Sequence, residues 1–151
     1  MEYQEQQPPP PQYVSEVNLA ALLPEAVVDL PTFLKLRMDP SDNTFLLETS
    51  YELLSKAPER LSLFRQGLAT GDYIALKHLA HREKGSASTL GFNRLANAML
   101  RFEYASYLVI YQFIQPDAQQ FSTLYYTIER EYSVLRDYLQ KLFASQAHPA
   151  H

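Results

Sequence analysis

The chain of 151 residues contains no cysteine, so disulfides, thiol nucleophiles and thiolate metal sites are excluded at once. It also lacks any run of about 18 apolar residues of the kind that spans a bilayer, and its first residues do not show the basic-then-apolar order of a signal peptide. The simplest expectation is a cytoplasmic protein with no membrane insertion. Basic residues are not in excess: 13 Lys and Arg stand against 17 Asp and Glu, a formal charge of −4. That balance argues against wholesale nucleic-acid binding and leaves room only for a local basic patch. No phosphate-binding glycine loop, Ser-His-Asp arrangement or alternating strand pattern is readable, and no repeat of fixed period stands out.

What is present is helical periodicity. Hydrophobic residues make up 46% of the chain and charged residues 20%, the balance of a soluble globular domain and enough for one real core. The opening sixteen residues, MEYQEQQPPPPQYVSE, carry four consecutive prolines that favour polyproline II, and residues 1–17 are expected to be a flexible Pro/Gln-rich tail. Asp29 before Leu30-Pro31-Thr32 predicts an N-cap with proline in the first turn of a short helix through PTFLKLRM. After Pro40, Leu46, Ser50, Leu53, Ala57, Leu61, Phe64 and Leu68 recur at threes and fours, with Pro58 predicting a kink or brief break near Lys56 and Ala57.

Thr70-Gly71-Asp72 supplies a stop and a new cap, and a helix follows over about 73–89. A third stripe runs from Phe92 to Phe113, and a fourth from Phe121 to Leu142. Four long helices with short links predict an all-α protein, an antiparallel four-helix bundle with a short N-terminal helix. The bundle is expected over 18–144, with 145–151 a disordered tail, and the protein is expected to be a monomer.

The stretch AHREKGSASTLG, from Ala80 to Gly91, concentrates the chemistry. On a helix, positions three, four and seven away share a face, so Lys77, His78, Lys84, Gly85 and Ser88 surround His81. Two lysines one turn either side of an imidazole suit a phosphoryl group carried on it. Gly85 removes a side chain where an incoming donor would approach, at a cost of about 1 kcal/mol relative to alanine. Histidine attacks as the neutral imidazole, and with an ordinary pKa of about 6.5 no further base is needed near neutral pH. Ile74, two turns before His81 on the same face, is a candidate partner-docking residue. The pairs His78/His81 and His148/His151 bring no third ligand, so no metal site is expected.

HREKGSASTLG resembles the motif of the histidine-containing phosphotransfer (HPt) domains of multistep phosphorelays, a His-x-x-Lys-Gly-Ser type pattern ending at a glycine. DLPTFLKLR, APERLSLFRQGLATGDYIALKHLAH and LGFNRLANAMLRFE look like that family's successive helices, so the likeness covers about 23–143. The resemblance implies a two-component phosphorelay carrier without kinase activity of its own. His81 would be phosphorylated by a receiver-domain aspartate and would pass the group to another receiver. It also implies a hybrid sensor histidine kinase and response-regulator receivers as partners, with Mg2+ held by the receiver and no cofactor in this chain. One residue departs from the pattern: Glu83, two after the histidine, stands where such domains usually have an apolar side chain.

Helical geometry aims Glu83 at the core, among Leu76, Leu79, Ala80, Ala87 and Leu90. An isolated carboxylate there must find donors, and the expectation from sequence is Tyr125, Tyr126, Tyr132 or Arg101, with Glu83→Leu stabilising the fold. Glu83 is also the one feature that favours an alternative reading, a non-phosphorylated helical adaptor that keeps the fold and binds a signalling partner.

Overall fold

A computed structural model describes residues 22–147 of the chain. The N-terminal tail predicted over 1–17 and the last four residues lie outside that range. Six helices are present among the described residues and no strand: α1 (Leu30–Leu34), α2 (Thr44–Ser55), α3 (Ala57–Thr70), α4 (Tyr73–Thr89), α5 (Asn93–Ile110) and α6 (Ala118–Ala147). None of them is long and apolar enough to cross a membrane. The architecture is the predicted one, since α2 and α3 together form one broken limb, α4, α5 and α6 form the other three, and α1 is the short N-terminal helix.

Local chemistry explains the boundaries. The Asp29 carboxylate accepts from the Thr32 backbone N–H and hydroxyl, and Pro31 sits in the first turn of α1, where its missing N–H is no loss. That helix is shorter than the apolar stretch suggested, ending at Leu34. The break between α2 and α3 falls at Lys56, so Pro58 again occupies a first turn. Asp72 caps α4 by accepting from the Ala75 N–H at 3.1 Å. At the other end, α6 continues through 145–147, where the sequence suggested that a tail had begun. Ala144, Ser145, Gln146 and Ala147 are all compatible with a helix, and Pro149 is the first residue that is not.

The core is built from the stripes read in the sequence. Phe64, Phe102 and Phe121 form an edge-on aromatic chain with ring centroids 4.8 and 5.5 Å apart, and Leu46, Leu76, Met99, Ile128 and Leu135 fill in around them. Helix α5 lies between α4 and α6 and packs against both, while α3 contacts α4 and α6 and α2 leans on α6 and α3.

Two glycines set how α4 is held. At Gly67 a Cβ would lie 2.6 Å from Leu76 Cδ2, so the absence of a side chain lets α3 and α4 approach closely. Gly91 ends the site helix in the left-handed region, φ 80°, and Phe92 N–H donates back to Ala87 O at 2.9 Å. The Gly91 carbonyl accepts from the Asp29 N–H at 2.7 Å, and a Cβ there would meet Asp29 O at 2.9 Å. The α4–α5 turn is thereby fastened to the segment that leads into α1.

Glu83 is buried on the inner face of α4, as its position in the pattern requires. Its partner is not among those expected. Arg60 of α3 brings Nε to 3.0 Å from Glu83 Oε2, and the more exposed Arg82 Nε reaches the same oxygen at 3.5 Å. The Arg60 Nε–H is out of line for a hydrogen bond, so the contact is an ion pair. Arg101 is exposed, Tyr126 is exposed, and the Tyr125 hydroxyl is taken by Arg65. Tyr132 is the nearest of the guesses to being right: burial, and then the Glu83 charge, hold its phenol well above the ordinary tyrosine pKa, with Arg60 opposing. Glu83 faces α3 across the groove that Arg60 enters just after the Pro58 turn, a neighbour that helix periodicity alone does not identify.

Pairing with Arg60 reverses the expected effect of substitution. Glu83→Leu leaves the Arg60 guanidinium, 20% exposed, to the solvent-exposed Glu59 carboxylate at 3.5 Å, and should lower stability by about 1–3 kcal/mol. The double variant Glu83→Leu/Arg60→Leu should recover most of that loss. Urea denaturation of the three proteins checks both statements, and a single variant as stable as the parent would show that the pair contributes nothing.

Candidate functional site

Helix α4 turns Leu76, Leu79, Ala80 and Ala87 inward, which leaves His81 on the solvent side, its side chain 66% exposed. Across the α4–α5 hairpin, Glu103 comes level with it. His81 Nδ1 lies 2.8 Å from Glu103 Oε2, and Lys84 Nζ lies 2.8 Å from Glu103 Oε1. One carboxylate therefore holds both the imidazole and the lysine. Glu103 itself is only 16% exposed and Lys84 25%, so this cluster is set into the surface while the histidine ring stands above it.

An ionised carboxylate can only accept, so in the neutral imidazole this contact favours the tautomer with the proton on Nδ1 and the lone pair on Nε2. With Nδ1 occupied and the ring exposed, Nε2 is the nitrogen available to an electrophile from outside.

The other residues expected at the site are placed as follows. A Cβ at Gly85 would meet nothing within 4 Å, so the space beside the histidine is open. Ser88 Oγ donates to Gly85 O at 3.2 Å, and Thr89 Oγ1 donates to the same carbonyl at 2.9 Å, so these hydroxyls are turned toward the helix backbone. Lys77 is half-buried one turn below. His78 is exposed on the flank of α4, lining a groove of about 430 Å³ with Leu63, Gln66, Ala75 and Arg82, on the α3 side and away from Glu103. Ile74 is 59% exposed, two turns before His81 on the same helix, and Leu63 of α3 lines the groove beside His78. Among the described residues no group of three or more His, Asp or Glu side chains is arranged to hold a metal ion.

Glu103 is the site residue that the sequence reading missed. A signal for it exists: His81 lies eleven residues before Phe92 and Glu103 eleven after, so an antiparallel hairpin turning at Gly91-Phe92 brings them level. The periodicity of a single helix does not contain that information.

A search of curated proteins and a search of solved structures each found no match. The family model described as "Hpt domain" matches residues 51–144, a span that includes His81, Lys84, Gly85 and Glu103 and takes in more than half of the chain. The helical bundle, the exposed histidine on its second long limb and this match agree, and the chain belongs to the Hpt domain family, the histidine phosphotransfer modules of phosphorelays.

Proposed function

We propose that this protein is a phosphorelay carrier in which His81 accepts a phosphoryl group from a receiver-domain aspartate and passes it to a second receiver. The observation that carries the reading is the exposed imidazole whose Nδ1 lies 2.8 Å from Glu103 Oε2, an arrangement that leaves Nε2 for the incoming group. In the transfer step Nε2 attacks the phosphorus of the aspartyl phosphate. The N–P bond forms, the P–O bond to the carboxyl breaks, and the aspartate leaves with the electron pair. The imidazole becomes cationic as it attacks, and its Nδ1–H remains directed at the Glu103 carboxylate, which stabilises that charge. Passing the group on is the same step in reverse.

Within this reading Lys84 is the cation beside the transferred group, with Lys77 a second one turn below. Gly85 gives clearance, while His78 and Ser88 support the face without touching the chemistry. Ile74 supplies apolar contact for the docking receiver. The Mg2+ ion and acidic cluster that bind the phosphoryl group belong to the receiver, and a hybrid sensor histidine kinase is the upstream source. Glu83, the feature that leaned toward an adaptor without phosphotransfer, is a paired residue on the opposite face of α4 and does not weaken the case for His81.

Incubation of the protein with a phosphorylated receiver domain should yield an acid-labile, base-stable label. His81→Gln should abolish the label with the bundle still folded, while His78→Gln retains it; the opposite pattern would show that the nucleophile is misassigned.

Glu103→Ala removes a charge-assisted hydrogen bond of about 1.5–3 kcal/mol and should slow acceptance by about tenfold to a hundredfold. The same variant should abolish the Nδ1–H tautomer preference of His81 in nitrogen NMR spectra. A slowed rate with an unchanged tautomer would mean that Glu103 acts through Lys84 alone.

A further inference from the structure

The eight large apolar side chains that stand most exposed among the described residues are not scattered. Five of them, Leu34, Met38, Phe45, Leu47 and Tyr51, belong to α1, α2 and the segment between them. Four of these five precede the span matched by the Hpt family model, and Tyr51 is its first residue. On one side of it a groove of about 410 Å³ runs between α2 and α6, walled by Leu47, Tyr51 and Leu54 on one helix and by Arg136, Leu139 and Phe143 on the other. Ser50 lines the same groove. It is 3% exposed, and its Oγ has no hydrogen-bond partner among the described residues. The groove thus joins apolar walls to one cationic side chain, a surface of the kind that protein partners cover.

We propose that the occupant is α2 of a second copy of this chain, the two copies packing α2 against the α2–α6 groove about a twofold axis. The charge pattern selects this occupant. Helix α2 carries Glu48 and Glu52 and no basic residue, whereas the opposite wall of the groove presents Arg136. An incoming helix that offers an apolar pair flanked by an acid fits there, and α2 offers Leu47, 47% exposed, and Tyr51, 74% exposed, beside Glu48. The surface therefore contains both halves of the contact, and a twofold axis uses each half twice, as isologous interfaces do. Burial of Leu47 and Tyr51 against Leu54, Leu139 and Phe143 supplies the apolar centre, and the Glu48–Arg136 pair sets the orientation. No residue of α4 or α5 lines this groove, so a dimer formed here leaves both copies of His81 open to other proteins.

Dimerisation through this groove is independent of phosphotransfer, and it revises the expectation of a monomer. Sedimentation of the full 151-residue chain at rising concentration should show a monomer passing into a dimer. Leu47→Glu and Tyr51→Glu should each remain monomeric throughout, with unchanged far-UV circular dichroism, since both side chains stand in solvent in the isolated chain. Arg136→Glu should weaken the dimer, and the charge swap Arg136→Glu/Glu48→Arg should restore it. A chain that stays monomeric at every concentration overturns the proposal. So does a dimer indifferent to Leu47→Glu and Tyr51→Glu, and failure of the charge swap overturns the placement of α2 in the groove.

Discussion

The register between α4 and α5 is the constraint on which the site depends. It is set by the left-handed turn at Gly91, where the Phe92 N–H closes back on Ala87 and the Gly91 carbonyl is held by Asp29. A slip of one residue along either helix would rotate its side chains by about 100° and carry Glu103 away from His81. The same turn thus ends one helix, starts the next and decides which groups meet eleven residues away on either side.

From that register the rest follows in layers. The inward faces of α4 and α5 meet the aromatic chain of Phe64, Phe102 and Phe121, which fixes the hairpin against α3 and α6. The close approach at Gly67 sets α3 tightly against the site helix, and Arg60 enters beside it to balance Glu83. The outer face is then free of structural duty except for the carboxylate that joins His81 and Lys84. An ion pair lies on each side of the helix, Glu83 with Arg60 of α3 and Lys84 with Glu103 of α5.

The long elements were legible in the sequence because each has a stripe that no other packing explains. Phe92, Leu95, Met99, Phe102 and Ser106 are all buried, as their spacing requires. The caps at Asp29 and Asp72 and the break before Pro58 were legible for a similar reason, since each depends on one or two neighbouring residues. His81 and its companions on α4 could be grouped from sequence because they share one helix. Glu103 and Arg60 were not found, because each meets its partner across a helix–helix interface whose rotation and register are properties of the whole bundle. The end of α6 was misjudged for a smaller reason: Ser145, Gln146 and Ala147 extend no apolar stripe, yet none of them opposes a helix, and the turns before them carry it on.

The attachment of Lys84 to Glu103 has a thermodynamic consequence under the proposed function, in which His81 carries the phosphoryl group. A lysine already engaged at 2.8 Å by a carboxylate must divide its donors, or leave that partner, before it can serve a phosphoryl group on His81. Each hydrogen bond that forms to the phosphoryl group weakens one that the empty protein already holds. The two states are thereby drawn toward equal free energy, and a carrier with little preference between loaded and empty can run its transfer in either direction according to which neighbour is charged.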